Sequence, residues 1–152
     1  MSAVKIHGIT TEMVRKIPDF ASVYPEFRAF VGDAVVLAHN ARYDVSFFNA
    51  ELGRMNEGGP PNPVVDTLPV FRQWFPQSSR HSLAALVRYL ELDADDFHRG
   101  LSDSETLMKI LFEGLNRRAL PVSLETLIET AGGAIHFARS GPGRENGGSG
   151  HE

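Results

Sequence analysis

Residues 34–38 form a short, unbroken apolar run, and a helical pattern begins directly after the turn that follows it. A run of this length with two adjacent valines is typical of a strand that is buried on both faces. Strands of this kind occur in parallel sheets whose two faces are covered by helices. This strand-to-helix step therefore predicts an α/β fold.

The pattern along the rest of the chain extends this prediction to one domain. A second short strand is expected at residues 63–67, between a loop rich in Gly and Pro and another helical segment. The spacing of apolar residues and the positions of capping residues predict helices over residues 10–17, 20–30, 42–54, 69–75, 82–90, 103–118 and 123–130. We place the domain at residues 1–131 and expect residues 132–152, which become polar and Gly-rich, to be a disordered tail.

The composition excludes several classes of protein. The chain has 152 residues, a formal net charge of -4 and no cysteine, so it forms no disulfide and has no thiolate site. The negative charge argues against broad electrostatic binding to nucleic acid, although a local cleft with metal ions remains compatible with it. No apolar run approaches the ~18 residues of a membrane span, and the first residues lack the apolar core of a signal peptide. We expect a cytoplasmic protein without membrane contact.

Two carboxylates occupy equivalent places in the predicted helices. Asp44 and Asp103 each lie in a first turn, at the head of an apolar stripe that is expected to face the core. An acid in such a place is costly unless it is paired or binds a metal ion. For either acid alone, a favourable interaction with the helix dipole is an equally good explanation. The two together favour a functional site.

Three motifs carry a resemblance to a known family. The sequence AHNARYD at residues 38–44 and HRGLSD at residues 98–103 resemble the second and third motifs of the DnaQ-like (DEDDh) 3′–5′ exonucleases. That family includes the epsilon proofreading subunit of bacterial DNA polymerase III. Between the two motifs, SLAAL at residues 82–86 resembles the family's connecting helix. A lone His-x-x-x-x-Asp is a weak signal, but the three motifs in this order are specific, and the resemblance spans residues 7–118.

The resemblance implies a ribonuclease-H-like exonuclease fold and a nuclease activity. Family members hydrolyse terminal phosphodiesters at the 3′ ends of single-stranded DNA or RNA with two Mg²⁺ or Mn²⁺ ions. It implies that Asp44 and Asp103 are metal ligands and that His98 is the general base, a role that suits an ordinary imidazole pKa of about 6.5. It further implies that His7 contacts the nucleotide at the substrate's 3′ end; a simple turn at Gly8 is the alternative explanation.

Other polar residues near the motifs have structural interpretations. Asp66 ends the second predicted strand and resembles the family's Asp-Thr-Leu step; we interpret it mainly as a helix cap, with a role in the site as the lesser alternative. His39 and Asn40 are expected to shape the turn from strand to helix. His81 is expected at the surface, just before the cap of the following helix.

The family's first motif, an Asp-x-Glu pair on an earlier strand, is absent upstream of Asp44. Glu12 and Asp19 are poor substitutes because neither belongs to such a pair on a strand. In the family, four carboxylates hold the metal ions, two from the first motif and the two that correspond to Asp44 and Asp103. Since Mg²⁺ demands near-ideal geometry, the two remaining carboxylates are expected to bind it weakly. We therefore expect an N-terminally truncated fold that lacks its first three strands, leaves one edge of the strand at residues 34–38 open, and has little activity.

Two further interpretations remain open at this point. The chain could be a non-catalytic nucleic-acid-binding or assembly module derived from the exonuclease fold, or a product without a stable fold. The retention of His98, Asp103 and Asp44 together favours the exonuclease, since a pure scaffold has no need for all three. The partners expected for the exonuclease are single-stranded 3′ ends and either a polymerase or a missing N-terminal segment.

Overall fold

The computed structural model describes residues 9–92 and 100–139. The strands are β1 (Val36–Ala38) and β2 (Val64–Asp66). The helices are α1 (Thr11–Val14), α2 (Phe20–Val31), α3 (Arg42–Met55), α4 (Thr67–Trp74), α5 (Leu83–Leu90), α6 (Gly100–Asn116) and α7 (Leu124–Thr130). His7 and His98 lie outside the described residues, so the roles expected for them stay predictions.

The sheet in the described ranges is a parallel pair with one further bridge. Strands β1 and β2 pair in the register Val36–Val64, Leu37–Val65 and Ala38–Asp66. On the other edge of β2, the backbone N–H groups of Val64 and Ile135 each donate to the other residue's carbonyl oxygen at 2.8 Å, in antiparallel orientation. In these ranges no strand pairs with the outer edge of β1. The carboxyl ends of both strands lie side by side, and α3 and α4 follow directly.

Apolar clusters cover both faces of this sheet, with β2 fully buried and β1 half-buried, and the parallel pairing confirms the α/β class. Consecutive strand residues point to opposite faces, so Val65 and Val64 belong to different apolar clusters. The cluster around Val65 is built from helices α4 to α7, and the one around Val64 from α3 and the segment that contains Phe137. Among the described helices, none has the length and apolar content needed to span a membrane.

The buried face of α6 matches only in part the apolar stripe that the sequence predicts, which consists of Leu107, Ile110, Leu111 and Leu115. Thr106 and Ile110 are 3% and 0% exposed, whereas Leu107 and Leu111 are only half-buried. Gly114 continues the buried face, and a Cβ added there would lie 2.3 Å from Cε3 of Trp74. The helix therefore approaches the core on its Thr106–Ile110–Gly114 side, because the absence of a side chain at Gly114 lets it come close to α4.

Helix α2 also presents an unexpected apolar side chain. The spacing of its phenylalanines predicted the helix itself, and Phe30, one of these residues, is 90% exposed. Tyr24 is the buried residue of this helix, and its hydroxyl donates a hydrogen bond of 2.8 Å to the carbonyl oxygen of Gly58. Periodicity identifies a helix but does not say which of its apolar side chains a neighbouring element covers.

The packed region continues beyond the boundary expected at residue 131. Phe137 is 7% exposed and packs in the cluster on the α3 side of the sheet. The backbone N–H of Ala138 donates to Oδ1 of Asn49 at 2.8 Å, and the N–H of Gly59 donates to the carbonyl oxygen of Ala138 at 2.8 Å. The segment through residue 138 therefore belongs to the domain, since it covers the edge of β2 that would otherwise be open.

Candidate active site

A cavity of about 600 Å³ lies at the carboxyl ends of the two strands. One wall is formed by the end of β1, His39 and Asp44, and a second by residues 82–84 at the start of α5. Asp103, Ser104 and Leu107 from the first turns of α6 complete the lining. Crevices at the carboxyl ends of parallel strands are the usual ligand sites of open α/β sheets.

Asp44 and Asp103 line this same cavity, although they come from different helices. Asp103 is half-buried, but Asp44 is exposed, so the expectation that its side chain faces inward is wrong. The buried stripe at the start of α3 runs through Ala41 and Val45, which are 0% and 5% exposed. Asp44 lies next to Val45 but off that stripe, and it therefore stands at the rim of the cavity.

The surroundings of Asp44 disfavour its negative charge. Partial burial raises the pKa of the Asp44 carboxyl, and the nearby negative charge of Asp66 raises it further, while a hydrogen bond from its own backbone opposes both effects. A like charge and a loss of water both penalise the ionised form of an acid. A bound cation would reverse this preference, because it stabilises the carboxylate.

The turn between β1 and α3 is held by an acid from the neighbouring strand. Asn40 adopts a left-handed backbone conformation with a φ of 64°, and its N–H donates to Oδ1 of Asp66 at 2.9 Å. The same oxygen accepts a hydrogen bond of 2.9 Å from the N–H of Leu68 in the first turn of α4. These contacts confirm that Asp66 caps a helix and that Asn40 shapes the turn.

His39 connects the two strand ends to the loop before α5. Its Nδ1 is 3.0 Å from Oγ1 of Thr67, and its Nε2 is 2.7 Å from the carbonyl oxygen of His81. Because a carbonyl oxygen only accepts, Nε2 of His39 carries a proton and donates to it. The ring also stacks on Phe71, with centroids 5.6 Å apart. Burial lowers the pKa of His39, so the neutral ring is favoured.

His81 is part of this arrangement rather than a surface residue, which corrects the expectation from the sequence. It is half-buried, and its Nε2 donates to the carbonyl oxygen of Phe75 at 3.0 Å. The next residue, Ser82, caps α5 as predicted and also lines the cavity. Sequence reasoning missed the contribution of His81, through its carbonyl oxygen, and of Thr67, through its hydroxyl, because both contact His39 from positions that are distant along the chain.

The donor atoms present match a divalent cation in type but not in number. Carboxylate oxygens such as those of Asp44 and Asp103 are the ligands that Mg²⁺ prefers. Within the described ranges, however, no group of three or more His, Asp or Glu side chains is placed to hold a metal ion. These two carboxylates therefore fall short of a site for two ions.

Comparison with known proteins reveals several related sequences. The family model RNase_T, described as an exonuclease, matches residues 2–111. The DNA polymerase III PolC-type of Halalkalibacterium halodurans is 36% identical over 109 residues, which is 72% of this chain and 8% of that protein. The PolC-type polymerase of Bacillus subtilis is 32% identical over 117 residues, which is 76% of this chain. The chain thus spans about 8% of the length of these relatives.

A solved structure, that of exonuclease X in complex with 5′ overhanging duplex DNA, shares the fold of this chain. It superposes with a TM-score of 0.65 at 24% sequence identity. The aligned region covers 85% of this chain and 72% of the exonuclease X chain. This likeness supports a ribonuclease-H-like α/β fold. Together with the family match over residues 2–111, it shows that the chain belongs to the exonuclease family.

Proposed function

We propose that this chain is a 3′–5′ exonuclease domain whose cavity receives the 3′ end of a single-stranded DNA or RNA, and that its hydrolysis is impaired. One observation carries the proposal: Asp44 and Asp103, from helices distant along the chain, line one cavity at the carboxyl ends of the strands. Membership of the exonuclease family supplies the reaction class, which is hydrolysis of a phosphodiester.

In this proposal the two acids supply oxygen ligands for Mg²⁺ or Mn²⁺, which would offset the charge of the substrate phosphate. A negatively charged chain needs such an ion at its cleft, because phosphate and carboxylate otherwise repel each other. His98 is the proposed general base, and His7 the proposed contact to the terminal nucleotide. Their roles rest on the motif resemblance alone, since both residues lie outside the described ranges.

The impairment is proposed because the donor set is small. Two carboxylates from α3 and α6 are fewer than two ions require, so cation binding should be weak. The names of the relatives and of the solved structure make DNA and a polymerase the partners to be tested first. A cytoplasmic location is part of the proposal.

The small donor set also favours a second candidate, a nucleic-acid-binding module without catalysis. The two candidates share the cavity and differ in whether a phosphodiester bond is broken. A binding module would hold a 3′ end and leave it intact, whereas an impaired exonuclease would shorten it slowly. They can therefore be separated with one labelled oligonucleotide.

The experiment uses a single strand labelled at its 5′ end, incubated with the full chain and Mn²⁺. Exonuclease action from the 3′ end gives a ladder of shortened strands, whereas action from the 5′ end releases the label at once. We expect slow shortening from the 3′ end and its loss in His98→Ala. Binding of Mn²⁺ should fall at least about tenfold in Asp44→Asn and Asp103→Asn, because loss of even an outer partner of a metal ligand has effects of that size.

The matched control is Asp33→Asn, which removes the same charge from an exposed residue in the loop that precedes β1. It should leave Mn²⁺ binding and shortening unchanged. Equal losses in Asp33→Asn and Asp44→Asn would mean that only net charge matters, which contradicts a site at the cavity. Release of the label from the 5′ end would contradict the proposed polarity.

A second experiment tests why the activity is low. A segment with the Asp-x-Glu pair, taken from the exonuclease region of a PolC-type relative, is fused ahead of Met1. If the donor set limits hydrolysis, shortening should accelerate with this segment and not with its Ala-x-Ala version. Tight binding without shortening in the Asp-x-Glu fusion would favour the binding module instead.

A further inference from the structure

Asp66 makes two contacts where a helix cap needs one. It ends β2, is 8% exposed, and accepts at a single oxygen, Oδ1, from Leu68 and from Asn40 at 2.9 Å each. The bond to Leu68 caps α4, the helix that Asp66 itself precedes. The bond to Asn40 crosses from β2 to the residues that follow β1, which lie 26 positions away in the sequence.

The residue that receives this second contact lies where α3 begins. Asn40 has a left-handed φ of 64°, a backbone conformation that residues other than glycine adopt infrequently, asparagine more often than most. The N-cap residue of α3, Ala41, makes no side-chain capping bond. The carbonyl oxygen of Asn40 nevertheless accepts from the N–H of Tyr43 at 3.2 Å, within the first turn that carries Asp44. The hydrogen bond from the N–H of Asn40 to Asp66 thus anchors the turn that leads into α3.

We propose that Asp66 is a positioning residue for Asp44: one buried carboxylate oxygen ties the end of β2 to the turn after β1 and so fixes the start of α3 at the rim of the cavity. The consequence for metal binding rests on the proposed function, whereas the positioning itself does not. The proposal assigns Asp66 no contact with substrate or cation.

The chain offers a matched helix cap that makes no such bridge. Asp19 caps α2 by accepting from the N–H of Ser22 at 2.9 Å, and its contacts stay within its own helix. Asp19 is exposed, whereas Asp66 is buried between two strand ends. A difference between the effects of equivalent substitutions at the two positions therefore isolates the bridge from the loss of a cap.

The test uses the full chain and Asp66→Ser, with Asp66→Asn and Asp19→Ser as comparisons. Serine is as good an N-cap as aspartate but is one atom shorter, so it should keep the bond to Leu68 and lose the bond to Asn40. Asparagine keeps an acceptor oxygen at the same reach and removes only the charge. The readouts are amide hydrogen exchange at Asn40 and Leu68, the resonances of the Asp44 amide and carboxyl groups, and affinity for Mn²⁺ alone.

In Asp66→Ser we expect exchange at Asn40 to accelerate about tenfold, as for loss of a hydrogen bond to a charged group, while Leu68 stays protected. The Asp44 resonances should shift, and the affinity for Mn²⁺ should fall about tenfold, as for other partners that orient metal ligands. Asp66→Asn should keep wild-type exchange at Asn40 and the amide resonance of Asp44, while the carboxyl resonance of Asp44 changes only because the neighbouring charge is removed. Asp19→Ser should leave Asn40, Asp44 and Mn²⁺ affinity unchanged.

The proposal is overturned if Asp66→Ser leaves exchange at Asn40 and the Asp44 resonances as they are in the wild-type chain. It is also overturned if Asp19→Ser shifts the Asp44 resonances equally, since a general loss of stability would then explain the effect. Failure of the wild-type chain to bind Mn²⁺ would contradict the proposed function instead. In that case the exchange of Asn40 and the resonances of Asp44 still decide the positioning role.

Discussion

The two acid-bearing walls of the cavity are held in place by different forces. We call the first the strand-end wall; His39 and Asp44 line the cavity there. Asn40, Asp66 and Thr67 support this wall through hydrogen bonds. Side-chain hydrogen bonds to neighbouring elements fix it, such as those from Asn40 to Asp66 and from His39 to the loop before α5. The second, the α6 wall with Asp103, Ser104 and Leu107, is carried by a helix whose buried face packs in the main apolar cluster.

This difference predicts which changes disturb which acid. Hydrogen bonds are directional and depend on single atoms and their protonation, so the strand-end wall should respond to polar substitutions and to pH. Close packing depends on volume, so the α6 wall should respond to the removal or addition of methyl groups. The same cavity thus combines a wall that is sensitive to chemistry with one that is sensitive to shape.

The largest expected effect is on the α6 wall, through Ile110→Ala. Ile110 is fully buried one turn below the cavity, so its truncation should lower the free energy of unfolding by about 2–5 kcal/mol. Denaturation by urea measures this change. The control on the same helix is Met108→Ala, which should change stability by no more than about 0.5 kcal/mol because Met108 is 49% exposed. Equal losses at the two positions would show that packing does not hold this wall.

A smaller effect is expected on the strand-end wall when the solution is acidified. Burial lowers the pKa of His39 below its ordinary 6.5, so the folded chain binds a proton less readily than the unfolded chain. The contribution of the neutral His39 ring to the free energy of unfolding is therefore complete above the pKa that His39 has in the unfolded chain. It is lost as the pH falls through the lower pKa that His39 has in the folded chain. Denaturation across this range should show the loss, and His39→Gln should reduce it.

The control for this prediction is His136→Gln, which changes an exposed histidine outside both walls. It should keep the full dependence on pH. If the substitution at His39 leaves the dependence unchanged and the one at His136 removes it, the ring of His39 is not what makes the strand-end wall sensitive to acid.

The smallest effect is expected for Asp44→Asn. The raised pKa of Asp44 means that the folded chain holds this proton more tightly, so ionisation destabilises the fold as the pH rises from the unfolded to the folded pKa. The substitution should therefore make the chain slightly more stable near neutral pH and leave it unchanged in acid, where both states are protonated. The gain is small because the exposed side chain is screened by water.

Thermal unfolding at both pH values measures this gain, and Asp33→Asn is the control with the same change of charge. A gain of equal size in the control would attribute the effect to net charge. A loss of stability in Asp44→Asn at neutral pH would mean that the carboxylate makes a favourable contact. The surroundings of Asp44 would then not disfavour its negative charge.

Local features of the fold could be predicted from the sequence because their causes lie within a few residues. Ser82 and Ser123 cap α5 and α7 as expected, since a capping side chain bonds to the N–H groups of the next turn. The strand within residues 34–38 followed from its unbroken apolar run, although β1 is half-buried and only β2 is fully buried. The positions of the two acids in the first turns of α3 and α6 were likewise set by motifs that the sequence displays.

The tertiary structure alone decided how these parts meet. It selected Thr106, Ile110 and Gly114 as the buried face of α6, left Phe30 exposed, and drew Phe137 onto the sheet beyond the expected end of the domain. It also gave Asp66 its second contact. The reason is that a capping motif acts on adjacent residues, whereas the packed face of a helix, or an acceptor for a distant N–H, depends on which surfaces the fold brings within a few ångströms.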